Sequence, residues 1–153
     1  MKKVLFVCLG NICRSPLAEA LFNKHVKAQD LEHQFESDSC GTADYHIGKN
    51  PDPRSVENAR RNGLIYTHKG RQLSMDDFHE FDYILAMDDS NLYHIQQMNT
   101  EGHTNIYKLR DFDSVGKGSD VPDPYFGGAD GFQEVYEILD RATLHLLKEL
   151  TEP

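Results

Sequence analysis

Two side chains with complementary chemistry stand at the ends of one short segment, Cys8-Leu9-Gly10-Asn11-Ile12-Cys13-Arg14-Ser15-Pro16. A cysteine thiolate is a strong nucleophile. An arginine presents a planar fork of N–H donors that matches two oxygens of a phosphate, which lysine cannot copy. Between them lies a loop whose backbone N–H groups can converge on one anion. Such a segment suits attack by sulfur on the phosphorus of a dianion. Gly10 and Asn11 are residue types that tolerate left-handed backbone angles, which a loop wrapped around a small anion often needs. Ser15 can donate its hydroxyl to the thiolate or to the phosphate.

The flanking elements must place these groups. The apolar run Val4-Leu5-Phe6-Val7 reads as a buried strand, so Cys8 sits at its carboxyl end. An amphipathic segment from Pro16 to about Gln29 reads as the first helix, with Ser15 as N-cap and Pro16 as first residue. Arg14, the helix N-terminus and the loop N–H groups each favour a thiolate over a thiol. A cysteine ending a buried strand is more often an inert core residue, and Cys-x5-Arg alone occurs by chance. The strand before, Gly-Asn within and Ser-Pro after move the balance to chemistry.

A second group is needed. Transfer of a phosphoryl group from an ester oxygen to sulfur leaves an alkoxide or a phenoxide. Phenol, with a pKa of about 10, departs more easily, yet a general acid still helps by about 10²–10⁴-fold. Asp123 is the candidate, held between Pro122 and Pro124, which stiffen the backbone. Tyr125 and Phe126 could form an apolar wall for an aromatic leaving group. Pro-Asp-Pro by itself reads as a turn; the Cys8 loop gives it a function.

Further along, the chain alternates strands and helices, which argues for a parallel sheet covered by helices. His33–Ser39 is a weak second strand. Residues 40–53 form a loop carrying Tyr45. Arg54–Arg61 reads as a short helix. Residues 83–87 are a buried strand, after which Asp88-Asp89 caps a helix to about Met98. Residues 106–109 make a fourth strand. A long loop from Arg110 to Asp130 precedes a helix over 132–150 with an apolar stripe of Phe132, Val135, Tyr136, Leu139, Leu146 and Leu150.

At 153 residues the chain fits one domain, able to bury its own core. Its formal charge of −9 argues against nucleic acid as a partner. Phosphate must then be attracted locally, by dipoles and N–H groups, since net charge is screened beyond about 8 Å. No apolar run approaches the roughly 18–20 residues that span a bilayer, and the N-terminal run is too short for a secretory signal. Membrane insertion is not expected, and a cytoplasmic protein is. Cys8, Cys13 and Cys40 are odd in number and read as reduced thiols rather than a disulfide framework. The eight histidines show no metal-ligand spacing, so no metal or other cofactor is expected. Lys69 and Arg71 read as solvated.

The Cys8–Pro16 segment near one end and Asp123-Pro124-Tyr125 near the other resemble the low molecular weight protein tyrosine phosphatases. Asp52-Pro53-Arg54 and the stretch from Tyr83 to Asp88 match as well, so the resemblance covers essentially the whole chain. It implies a four-stranded parallel sheet in the flavodoxin-like order 2-1-3-4, with helices on both faces. It implies a phosphocysteine on Cys8, Asp123 as general acid and then base, and no metal. Arg14 and the N–H groups of residues 9–13 would bind phosphate or another oxyanion. By the same resemblance Asn11 holds the loop with help from Ser39 and His68, Ser15 stabilises Cys8 as leaving group, and Tyr45 and Tyr125 line the cleft. Phe126 stands where many members have a second tyrosine. A reversible Cys8–Cys13 disulfide is a family expectation, alongside plain packing for Cys13. The resemblance implies a phosphotyrosine protein as substrate and a monomer.

Other functions share parts of this pattern. A protein-arginine phosphatase shares the loop, but those relatives carry threonine at the position of Ile12, and an apolar residue there suits an aromatic ester. An arsenate reductase of the same fold needs two further cysteines near residues 88–99, where there are none. A phosphoryl carrier or anion-binding adaptor would keep Cys8 and its loop but has no need of Asp123.

Overall fold

The computed structural model describes residues 1–125 and 127–152. In chain order the elements are β1 (Lys2–Cys8), α1 (Arg14–Ala28), β2 (Phe35–Gly41), α2 (Pro53–Arg61), α3 (Asp77–Glu80), β3 (Tyr83–Ala86), α4 (Asp89–Met98), β4 (Ile106–Lys108), a 3-10 turn (Leu109–Phe112) and α5 (Ala129–Thr151). The four strands form one parallel sheet in the order β2-β1-β3-β4.

β1 is interior and is covered on both faces, which explains its unbroken apolar run. Val4, Phe6 and Cys8 face one layer, packed against Leu17, Leu21 and Phe22 of α1 and Leu139 and Leu146 of α5. Leu5 and Val7 face the other, with Phe78, Ile84 and Ile95. From β1 the chain runs first to β2 on one side, then crosses to β3 on the other. The loops leaving β1 and β3 therefore diverge, and a crevice opens at the carboxyl end of β1, where ligands bind in sheets of this kind. Cys8 lies at that switch point, in register with Gly41.

The expected boundaries need several corrections. α1 begins at Arg14, two residues before Pro16, and its N-cap is Cys13 with no side-chain cap. Ser15 is therefore no cap: its hydroxyl is engaged by Cys8 and Cys40. The second strand runs to Gly41 rather than Ser39, because its pairing with β1 continues to Cys8. α3, a single turn, is too short for its periodicity to be read. α2 starts at Pro53, capped by Asp52, whose carboxylate accepts from Arg54 N–H. α5 begins at Ala129, and the apolar stripe expected for it is buried throughout.

The loop after β4 is tied down. Asp113 is buried and accepts from both Arg110 and Arg141. Lys108 reaches Asp89 and Asp120, each at 2.9 Å. Val121 N–H donates to Met87 O. These contacts bring Asp123 back over the end of β1. Among the described residues no helix is long and apolar enough to cross a membrane.

Candidate active site

Cys8 Sγ is buried and faces two groups that can donate to it. The backbone N–H of Asn11 lies 3.3 Å away, and Ser15 Oγ lies 3.0 Å away. Ser15 has one proton and two acceptors for it, Cys8 Sγ and Cys40 O at 3.2 Å. It can turn that proton toward sulfur when charge builds there.

Asn11 shapes the loop from below. Its φ of 58° is left-handed, a conformation asparagine tolerates. Arg71 N–H can only donate, so the atom it meets at 3.0 Å is Asn11 Oδ1. Nδ2 then donates to Ser15 Oγ at 2.8 Å and Ser39 Oγ at 3.1 Å. Oδ1 also faces His68 Nε2 at 2.8 Å, which places the proton of a neutral His68 on Nε2. Four hydrogen bonds on one buried side chain hold the loop in its left-handed turn. Gly10, expected to need such angles itself, does not have a positive φ. It lets the loop pack closely, since a Cβ there would lie 2.9 Å from the His46 ring and would make that ring shift.

Beyond Asn11 the network continues. Ser39 donates to Glu19 Oε1 at 2.7 Å, and that oxygen lies 3.4 Å from His68 Nδ1. Burial pushes the Glu19 carboxyl up to about 7 and the His68 imidazole down. Arg71 is not solvated as expected. It pairs with Asp38 and forks onto the buried Asp77, while Lys69 stays exposed and reaches Asn50. Glu19, Asp38 and His68 carry ligand-type atoms within 4.8 Å of one another, brought together from three distant segments. Glu19 and Asp38 already accept from Ser39 and Arg71, so the group is accounted for as part of the support beneath the loop.

Arg14 is buried, and its charge is anchored on one side. Nη1 donates to Asp88 Oδ2 at 2.6 Å and to Val121 O at 3.1 Å. Burial works against its charge, and Cys8, Asp88 and Asp123 outweigh that. Asp88 does more than the N-capping expected of it: Oδ1 accepts from Asn91 N–H while Oδ2 holds Arg14. Asp123 Oδ2 lies 3.5 Å from Arg14 Nη2, and Asp123 Oδ1 accepts from Tyr125 N–H at 3.1 Å. Its carboxyl is half-exposed, facing the mouth of the site.

The walls enclose a pocket of about 140 Å³. Its floor is Cys8 and the loop through Arg14, with Asp123 to one side. Tyr45, His46 and Tyr125 form the rim, and Ile12 adds an alkyl surface. His46 escaped the sequence reading, since nothing in its neighbourhood marks it. Phe126, expected as a second wall residue, lies outside the described residues. Cys13 also lines the pocket; its thiol faces Asp52 at 3.8 Å, and burial, with Asp52, pushes it far above the usual range. All three cysteines are free thiols.

Comparison with known proteins agrees with this geometry. The family model described as low molecular weight phosphotyrosine protein phosphatase matches residues 3–153. The chain belongs to this phosphatase family. It is 45% identical over 150 residues to the low molecular weight phosphotyrosine protein phosphatase of Schizosaccharomyces pombe, covering 97% of this chain and 96% of that one. The crystal structure of a protein tyrosine phosphatase from Entamoeba histolytica, with Hepes in its active site, superposes with a TM-score of 0.95 at 40% identity, covering 99% and 97% of the two chains. A Drosophila arginine phosphatase superposes with a TM-score of 0.91 at 34% identity, covering 99% of each. As a low molecular weight phosphatase, the chain carries the expected sheet order without change.

Proposed function

We propose that this chain is a single-domain protein tyrosine phosphatase that hydrolyses phosphotyrosine and other aryl phosphates through a phosphocysteine. One observation carries the reading: a buried Cys8 Sγ faced by Ser15 Oγ and the Asn11 N–H, with Arg14 and Asp123 converging on the same pocket.

The phosphate dianion sits on the loop, its equatorial oxygens held by Arg14 and the N–H groups of residues 9–13, which lie just ahead of the α1 N-terminus. Cys8 sulfur attacks phosphorus as the ester P–O bond breaks, and Asp123 gives its proton to the departing phenolate oxygen. A water then attacks phosphorus, its proton passes to the Asp123 carboxylate, and the P–S bond breaks. Phosphate leaves, sulfur recovers its electron pair, and Ser15 turns its hydroxyl onto it. Pre-placed donors do most of the work, as expected where charge is spread over three oxygens. Tyr45 and Tyr125 flank the entrance and offer flat apolar surfaces to a phenol ring. Ile12 gives a guanidinium no hydrogen-bond partner, which favours the aryl ester over phosphoarginine. A cytoplasmic setting fits a mechanism that depends on a reduced thiol.

The deciding experiment is steady-state hydrolysis of 4-nitrophenyl phosphate and of phosphotyrosine, phosphoserine and phosphoarginine peptides, with a chelator present. Turnover of the aryl esters with phosphoserine ignored is the expected outcome. Preference for phosphoarginine overturns the specificity, and phosphate binding without turnover points to a carrier or adaptor.

A further inference from the structure

Arg54 lies outside the pocket, yet it touches both halves of the machinery. Its Nε and Nη2 fork onto Asp52, at 3.1 Å to Oδ1 and 2.8 Å to Oδ2. Asp52 in turn belongs to the anion loop: its N–H donates to Ile12 O at 2.8 Å, and its Oδ2 accepts from the Cys13 thiol. On the other side the Arg54 guanidinium lies over the Tyr125 ring, 5.4 Å from its centroid, and over the Phe132 ring at 4.8 Å. Phe132 is buried in the first turns of α5 and forms a fixed backstop. Tyr125 N–H holds Asp123 Oδ1.

From these contacts we infer that Arg54 is a positioning residue for the general acid. It clamps Tyr125, and with it Asp123, in register with the loop that carries Cys8. The planar cation suits this place. Its edge satisfies a carboxylate bidentately while its face stacks on two rings, and lysine can do only one of these at a time. Asp52 and Arg54 are bound within one helix cap, so the clamp is fixed to α2. The acid loop is otherwise held at its base by Lys108–Asp120 and Val121–Met87, and Arg54 secures the far side of Asp123. A displacement of about 1 Å at a reacting group can cost about 10²-fold in rate.

This inference rests on the phosphatase reading above, and one experiment separates the two. kcat/KM reports the step in which the ester bond breaks, so it is measured on 4-nitrophenyl phosphate and on phenyl phosphate. Nitrophenolate leaves readily without a proton; phenolate, the anion of an acid of pKa about 10, needs one. Arg54→Met is expected to lower kcat/KM about ten-fold on phenyl phosphate and less than about three-fold on the nitrophenyl ester, a fraction of what complete loss of a general acid costs. Asp123→Asn should widen the same gap further, and adding Arg54→Met to it should widen it no more, because both act through one proton. Arg54→Lys should fall between Met and the parent, and it carries the comparison if Arg54→Met does not fold. Equal losses on the two esters, or effects additive with Asp123→Asn, overturn the inference and leave Arg54 a surface ion pair. If the parent enzyme turns over neither ester, the phosphatase reading itself has failed.

Discussion

Asp88 holds Arg14 with one carboxylate oxygen at 2.6 Å and caps α4 with the other, accepting from Asn91 N–H at 2.7 Å. One side chain thus fixes Arg14, the cation proposed to bind phosphate, to the end of β3, across the switch point from Cys8. The two functions can be separated by substitution. Asp88→Asn keeps an oxygen for the cap but loses the charge beside Arg14. Hydrogen bonds to charged groups are worth about 1.5–3 kcal/mol. The variant should lose about ten-fold or more in kcat/KM on an aryl phosphate, and about 1.5–3 kcal/mol of stability as well, because the buried Arg14 guanidinium then faces an amide rather than a carboxylate. Asp88→Ala should add about 1 kcal/mol of destabilisation from the lost cap. Equal activity of Asp88→Asn and the parent, at matched melting temperatures, would show that Arg14 needs no anchor there.

Gly41 ends β2 directly behind the anion loop. A Cβ on it would stand 2.6 Å from Leu9 O and 3.2 Å from Asn11 N. Both neighbours are backbone, and neither can turn aside. Gly41→Ala should therefore push the loop out of shape. Overpacking of this kind costs about 1–3 kcal/mol. Turnover should fall by more than the loss of folded protein explains, which parallel urea melts and kinetics will resolve. A variant that is destabilised but fully active per folded molecule would mean that the loop absorbs the shift.

What could be read from the sequence was what is local in it. Cys8, Arg14 and the strand and helix around them lie within one short segment, so residue type and spacing suffice to name the chemistry. Asp123 can be singled out because two prolines mark it, and the structure places it beside Arg14 at the pocket. The sheet order came from the family resemblance, since alternation alone gives a parallel sheet without its order. Of the support beneath the loop, Ser39 and His68 came only with the family resemblance. Glu19, Asp38 and Arg71 come from α1, β2 and the segment after α2, and only packing joins them. Arg71 looks like any solvated cation until Asp77 is folded against it. Gly10 has no positive φ, and a glycine that packs close to His46 and one that needs a positive φ look alike in a sequence. Ser15 suits a cap by position and a partner for the thiolate by type; Cys8 Sγ and Cys40 O engage its hydroxyl, so the cap alone fails.

Glu19 gives the stability a pH dependence. Its folded carboxyl is raised to about 7 by burial, from an ordinary value of 4.5. Between those two pH values the folded state holds a proton that the unfolded state has released. Stability from this group is therefore fully present below about pH 4.5 and declines as pH rises through 7. The other charged or titratable groups near it are Asp38, His68 and Arg71. Glu19→Gln keeps an acceptor for Ser39 and offers His68 Nδ1 an N–H donor, with no charge to bury. It should melt at the parent's temperature at pH 5 and above it at pH 8, by at most about 3 kcal/mol at 1.36 kcal/mol per pK unit. Thermal melts of both proteins at the two pH values test this. A variant equally destabilised at both would mean that Glu19 is needed as a charge.

Cys8→Ser separates binding from chemistry. Serine fills nearly the same space at the end of β1, and the groups proposed to hold phosphate, namely Arg14, the loop N–H groups and the α1 terminus, do not depend on sulfur. Oxygen at that position is a poor nucleophile without a base to take its proton, and the carboxyl nearest to the pocket, Asp123, faces Arg14 and the leaving-group side. Phosphate should bind to the variant at least as tightly as to the parent, read by titration calorimetry, while turnover of 4-nitrophenyl phosphate drops below about 0.1% of the parent rate, as loss of an activated nucleophile predicts. Trapping should agree: rapid acid quench during turnover should leave one phosphoryl group on the parent protein and none on the variant. Substantial turnover by Cys8→Ser, or an unlabelled parent, would exclude the covalent route and leave direct attack by water, with Arg14 and the loop acting only as an anion clamp.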